Sequence, residues 1–261
     1  MCTVSWLTQA GGYVLLCNRD ERYTRRPALG PRLVAQRGVS FIAPADGDHG
    51  GSWIGVNHFG LTMSLLNRYG DSPAESAASF TSRGLLLTAL LDCEHAREVY
   101  ERVQATQLGN FQPFTMAVLS PDEKPLVLDW TGHDISIRPE VDSHAPLVSS
   151  SLQEPQISVW RKEQFRRMLS ETGNEEAPPT AELLWQFHRS HLPERGPYSV
   201  CMHREDASTV SLSVVTVTQE RVEFVYRPGA PCIAAPAEKV SLARVLSVPP
   251  VVAGGPVRQD D

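Results

Sequence analysis

Cys2-Thr3-Val4-Ser5-Trp6-Leu7-Thr8, then Ala10-Gly11-Gly12, then Tyr13-Val14-Leu15-Leu16-Cys17 and Asn18-Arg19-Asp20-Glu21 form the stretch on which the reading of this chain turns. Residues 3–8 and 13–17 are rich in β-branched, aromatic and aliphatic side chains, and the glycines between them mark a hairpin turn. A turn at Ala10-Gly11 sets Cys2 opposite Arg19; a turn at Gly11-Gly12 sets it opposite Glu21. Either register lays the chain start against four polar residues that directly follow an apolar strand. Opposed side chains share a face about 5 Å apart. The hairpin therefore gathers a thiol, a chain terminus, a guanidinium and carboxylates.

Cys2 follows Met1, and methionine aminopeptidases require a small second residue. Removing Met1 would give Cys2 a free α-amine, of ordinary pKa about 7.7–8.0, as an adjacent base. Arg19 would favour the thiolate, and Asp20 would anchor that arginine or hold the ammonium group. The plainer alternative makes Cys2 a small residue at the start of an edge strand, with the polar run a solvated turn.

Outward from this hairpin, residues 52–56 and 61–67 form a second one around Asn57-His58-Phe59-Gly60, which puts Asn67 across from Gly50. The stretches 25–31 and 43–51 read as loops. Ser82 is a good N-cap for a helix over 83–91, and a second helix runs over 94–103. Strands are predicted at 114–119, 126–130 and 135–138, helices at 159–169 and 181–191, and strands at 198–203, 209–217 and 223–226. Such segregated blocks argue for an α+β fold rather than alternating βαβ units. Residues 1–248 read as one domain and 249–261 as a loose tail.

With 261 residues, 41% hydrophobic and a net charge of -6, the composition excludes wholesale disorder. The acidic balance offers no basic field for nucleic acid, and the cluster Arg161, Lys162, Arg166, Arg167 reads as a helix face. No window approaches the roughly 20 apolar residues of a spanning helix. With no charge before Arg19 to start a secretory signal, the expectation is a soluble cytoplasmic protein. Five scattered cysteines argue against a disulfide framework. His188 and His191 form an H-x-x-H without a Cys or acidic partner at zinc-site spacing, so no metal site and no cofactor are expected.

Met1-Cys2-Thr3 with Asn18-Arg19-Asp20-Glu21 resembles the NRDE family, also called the transport and Golgi organisation 2 family. The resemblance continues in Gly50-Gly51-Ser52-Trp53-Ile54-Gly55-Val56-Asn57, in Gly60-Leu61 through Leu66-Asn67-Arg68, in Ser82-Arg83-Gly84, and more thinly in Val148-Ser149-Ser150-Ser151-Leu152 and Thr209-Val210. That family is similar to N-terminal nucleophile hydrolases of the choloylglycine hydrolase and penicillin V acylase branch. The resemblance implies a four-layer αββα sandwich of two antiparallel sheets, with Cys2, Arg19, Asp20 and Asn67 as the catalytic set.

By the same resemblance, Asn67 would help form an oxyanion hole. Where the branch has a further asparagine, this chain offers Ser149 and Ser150, and Arg161 stands nearest to a site arginine of the branch. Arg161 reads more simply as a helix-face residue among Lys162, Arg166 and Arg167, and Arg204 is a comparable candidate for an anionic substrate group. Arg83, unfavourable for the helix macrodipole in a first turn, reads as placed to meet an anion. Asn18, Glu21, Arg83, Ser150, Arg161 and Arg204 are thus the candidate substrate-binding residues. His49 is assigned no role, and Cys17, Trp6 and Trp53 read as core. Two functions follow: a cysteine hydrolase of linear carbon–nitrogen amides acting on a small molecule, or a non-catalytic carrier of a lipid or haem-like ligand.

Overall fold

A computed structural model of the chain describes residues 2–69, 80–138, 145–172 and 178–247. Strands β1 (Cys2–Gln9) and β2 (Gly12–Arg22) form the opening hairpin with Cys2 opposite Arg19, so the turn is Ala10-Gly11. Gly12 is required there, because a Cβ on it would lie 2.0 Å from the Val217 carbonyl oxygen. The polar quartet continues β2 rather than forming a turn, because β11 (Ala207–Val217) pairs along its other side. Strand β10 (Leu147–Ser149) flanks β1. With β12 (Arg221–Pro228) and β13 (Glu238–Ala243) this gives a six-stranded antiparallel sheet in the order β10-β1-β2-β11-β12-β13.

The second sheet is a seven-stranded meander of β3 (Leu29–Gln36), β4 (Val39–Ala45), β5 (Ile54–Asn57), β6 (Thr62–Asn67), β7 (Phe114–Leu119), β8 (Leu126–Trp130) and β9 (Ile135–Ile137). Parts of the expected loops at 25–31 and 43–51 are therefore strand. β3 escaped notice because it is an edge strand interrupted by Pro31, which cannot donate to a ladder, and by a register shift between Leu29 and Arg32. The β5–β6 hairpin closes through a three-residue loop, with the Asn57 side chain accepting from Phe59 and Leu61 and with Gly60 at φ +82°. That loop is one register step from the expected turn. Asn67 therefore does not face Gly50; it lies beyond the β5 pairing and pairs on the other side with Phe114 of β7. Residues 198–203, expected as a strand, make only an isolated bridge between His203 and Ser208.

Helices α1 (Arg83–Leu90) and α2 (Ala96–Gln104) cover the outer face of the meander, with Leu87, Leu90 and Val99 on Met63, Phe114 and Met116. Ser82 stands at the N-cap of α1 but makes no side-chain cap bond. Helices α3 (Glu154–Ser170) and α4 (Ala181–Arg189) cover the six-stranded sheet, with Phe165 and Phe187 on Leu16 and Leu212. α3 begins earlier than expected because Pro155 suits a first turn. Trp6, Tyr13, Leu15, Ile54, Val56, Val215 and Phe224 fill the space between the sheets. Strand alternation explains the division: Leu15 faces the other sheet and Leu16 faces the helices. The result is an α+β sandwich of four layers, αββα. No helix among the described residues is long and apolar enough to cross a membrane. Residues 249–261, read as a tail, lie outside the described residues.

Candidate active site

Sheet pairing fixes Cys2 on both sides: Ser149 of β10 opposes it on one flank and Arg19 of β2 on the other. Its backbone N–H donates to Ser149 Oγ at 3.1 Å. The side chain is 5% exposed and borders a cleft of about 390 Å³ whose walls include Arg19, Asp20, Glu21, Asn67 and Arg83. The Cys17 thiol, on the same strand face as Arg19, donates a hydrogen bond that holds Cys2 below the ordinary thiol pKa. This outweighs burial, and the Arg19 charge acts in the same direction. The same hydrogen bond and burial push Cys17 up. Of the two neighbouring thiols, Cys2 is therefore the more readily ionised.

Arg19 is anchored three ways. Its Nη2 lies 2.6 Å from Asp46 Oδ2 and 3.3 Å from Glu21 Oε2, and its guanidinium stacks 4.4 Å above the centre of the Trp53 ring. Asp46 also holds Arg25 at 2.7 Å and accepts the backbone N–H groups of His49 and Asp48. Burial pushes the Asp46 carboxyl up, but the His49 N–H and the Arg25 and Arg19 guanidiniums outweigh it and hold the group below the ordinary carboxylate range. Trp53 Nε1 is buried without a hydrogen-bond partner among the described residues.

Alternation along β2 turns the Asp20 side chain to the face opposite Arg19, toward the helices. Thr209, directly opposed on β11, donates to Asp20 Oδ1 at 2.6 Å. Arg161 of α3 approaches Asp20 Oδ2 at 3.6 Å. Arg161 is 1% exposed and also donates to Thr3 Oγ1 and to the carbonyls of Pro197, Tyr198 and Ser199. Asn18, on the same face, donates to the carbonyls of His188 and Val200, and its Oδ1 meets the His188 ring. Burial pushes His188 down to about 3, which keeps it neutral.

Asn67 ends β6 at the cleft and donates through Nδ2 to Tyr69 Oη at 3.0 Å. The start of α1 reaches the cleft because two glycines pack backbone on backbone. A Cβ on Gly51 would lie 2.4 Å from the Gly84 carbonyl carbon, and Ser52 N–H donates to Gly84 O. This close approach accounts for Gly51 and Gly84, while Gly50 serves its positive φ of +71°, and it brings Arg83 to the cleft wall, where it also donates to Pro113 O.

Six of the ten candidate residues thus border the cleft: Cys2, Arg19, Glu21, Asn67 and Arg83, together with Asp20, whose carboxyl is turned to Thr209 and Arg161 on the helix side. The other four do not. Asn18 and Arg161 are buried in the helix-facing layer behind Asp20, where an arginine on an interior helix face meets a strand carboxylate. Ser150 turns back on its own chain to bond Leu152, while its neighbour Ser149 contacts Cys2. Arg204 lies on a separate surface with Asp206. The residues not anticipated are Asp46, Arg25, His49 and Trp53 in the cleft and Thr209 behind it. All but Arg25 come from a strand or loop distant in sequence, and Trp53 looked like core because most tryptophans in apolar runs are.

The comparisons with known proteins bear on the fold and the family. A mutant of conjugated bile acid hydrolase from Clostridium perfringens is similar over 92% of each chain, with 12% identity and a TM-score of 0.54. A second variant of that hydrolase is similar over 96% of this chain and 100% of its own, also at 12% identity and a TM-score of 0.54. The Caenorhabditis elegans ortholog of N-acylethanolamine-hydrolyzing acid amidase is similar over 82% of this chain and 92% of its own, with 14% identity and a TM-score of 0.54. At these identities the likeness establishes the fold. Comparison with curated proteins gives no sequence match. The family model described as Transport and Golgi organisation 2 matches residues 1–226, and the chain belongs to that family.

Proposed function

We propose that this protein is an N-terminal nucleophile hydrolase of linear amides, with Cys2 as nucleophile once Met1 has been removed. The observation that carries this reading is the setting of Cys2. Its nitrogen is oriented by Ser149, its thiol is held below the ordinary pKa by Cys17, and the side chain borders a polar cleft beside Arg19 and Asn67. In this reading Cys2 Sγ attacks the amide carbonyl carbon while its proton passes to the α-amine. The oxyanion is held by the second N–H of the Asn67 amide. The α-ammonium then protonates the departing amine, the C–N bond breaks, and water activated by the α-amine cleaves the thioester to release the acid. Arg19, locked by Asp46, Glu21 and Trp53, supplies fixed positive charge beside the sulfur.

The hydrolase neighbours support the same bond type: one acts on conjugated bile acids and another on N-acylethanolamines. The carrier reading fits the cleft less well. Arg19, Arg25, Arg83, Glu21 and Asp46 line it, whereas a lipid tail or a macrocycle calls for largely apolar walls. A cytoplasmic location, which keeps thiols reduced, accompanies the hydrolase reading. The test is release of amine from a panel of N-acyl amines by the full-length protein. Turnover abolished in Cys2→Ala supports the reading; unchanged turnover in that variant overturns it.

A further inference from the structure

Away from the cleft, His191, Cys201, His203 and Cys232 bring four donor atoms within 4.8 Å of one another. His191 follows α4, Cys201 and His203 lie in the irregular chain before β11, and Cys232 follows β12. The His203 Nε2 atom is the centre of the group, 3.2 Å from His191 Nε2, 3.4 Å from Cys201 Sγ and 3.5 Å from Cys232 Sγ. A ring nitrogen offers one hydrogen or one lone pair, so it cannot satisfy three neighbours at once.

A shared ion resolves that convergence. Tetrahedral zinc has bonds of about 2.3 Å to sulfur and about 2.0–2.1 Å to nitrogen. Such bonds separate the ligands by about 3.3 Å for two nitrogens and about 3.6 Å for nitrogen and sulfur. The observed separations match both. We propose that His191, Cys201, His203 and Cys232 form a structural Cys₂His₂ zinc site. On binding, the two thiols release their protons to solvent and leave a neutral centre of two thiolates and two imidazoles. Arg195 Nη2, 3.6 Å from Cys232 Sγ, donates to one of those thiolates.

The site explains what holds a segment without regular structure. Between the ligands Cys201 and His203, Met202 donates its N–H to Thr209 Oγ1 at 2.8 Å, and Thr209 in turn donates to Asp20 Oδ1. Arg161 is gripped by the carbonyls of Pro197, Tyr198 and Ser199 in the same segment. Zinc would thus pin the stretch behind Asp20 to the chain after β12. The closed four-ligand set, with no position left for water, marks a structural role.

The H-x-x-H of the sequence misdirected because its first member is not a ligand. The His188 ring is occupied by Ser5 and Asn18. The partners of His191 lie across a Cys-x-His pair and a cysteine from another segment, a spacing outside the usual zinc patterns.

The test uses the reduced full-length protein, stripped with a chelator and titrated first with Co²⁺ and then with Zn²⁺. The expected result is one metal per chain, with the visible bands of tetrahedral Co²⁺ and thiolate charge-transfer absorption. Zn²⁺ should displace Co²⁺ and protect Cys201 and Cys232, but not Cys2, from alkylation in the wild-type protein. Charge-transfer intensity should fall by about half or be lost in Cys232→Ser and be unchanged in Cys2→Ser. Failure of the reduced wild type to bind Co²⁺ or Zn²⁺ overturns the proposal. So does a spectrum that survives Cys232→Ser and vanishes in Cys2→Ser.

Discussion

Two regions of this molecule place cysteines beside basic nitrogens, and they are built in opposite ways. Cys2 sits within a strand, paired to Ser149 on one side and to Arg19 on the other. Strand pairing separates side chains and aims each one, so a single sulfur faces the cleft, next to a guanidinium that Asp46 and Glu21 prevent from collapsing onto it. Cys201 and Cys232 sit in irregular chain, where nothing keeps side chains apart, and they converge with two imidazoles on one point. The first arrangement suits a reactive nucleophile and the second suits a chelate. The residue types are similar; the backbone decides which chemistry is available.

The largest expected effect bears on the nucleophile itself. Cys2→Ala should lower turnover on the order of 10⁴-fold or more, as loss of a nucleophile does elsewhere. The thermal midpoint should stay close to wild type, because the side chain lies at the edge of the core; steady-state kinetics and a melting curve check both.

Next in size is Arg161→Leu, which takes the buried Arg161 guanidinium away from the Asp20 carboxylate. Breaking a buried pair from one side costs about 3–5 kcal/mol, measured as a fall in the denaturant midpoint. A change below about 1 kcal/mol would mean that the Arg161–Asp20 approach is incidental. Asn67→Ala should reduce kcat by about 10²–10³-fold, the loss of one oxyanion donor. Stability should be unaffected, since among the described residues that amide bonds Tyr69 at the cleft rim and no other side chain.

Removing the metal from the second region should act on stability rather than reactivity. With free Zn²⁺ at 100 times its Kd, ligand linkage contributes about 2.7 kcal/mol, read as a higher thermal midpoint that a chelator reverses. A midpoint insensitive to both would remove the contrast between the regions.

The smallest effect concerns pH. Asp46 is held below the ordinary carboxylate range, so its contribution is fully present above the unfolded value and is lost as pH falls through the lower folded one. Asp46→Asn should therefore flatten the acid limb of the stability profile, by about 1 kcal/mol, while leaving the Cys2 region paired.

Legibility followed the same division between paired strands and converging loops. The hairpin count narrowed the partner of Cys2 to Arg19 or Glu21, and Arg19 is the one observed. Resemblance supplied Asn67, and the register argument offered for it failed by one residue because Gly60 closes a three-residue loop. What could not be read was contact between chain segments far apart. Asp46 and Trp53 lie in the loop between β4 and β5 of the other sheet, Thr209 enters through β11, and Cys232 reaches His203 from beyond β12. The edge strands β3 and β13 were hidden for a different reason. Each has an exposed side, so polar residues and Pro31 are tolerated and the apolar alternation is weak.

The most direct test of the nucleophile assignment is peptide-resolved alkylation of the reduced, zinc-loaded protein near neutral pH, read by mass spectrometry. The account predicts that the N-terminal peptide begins at Cys2, with Met1 absent, and that Cys2 is modified well before Cys17, Cys93, Cys201 and Cys232. A peptide that retains Met1, with Cys2 no faster than Cys232, would contradict it.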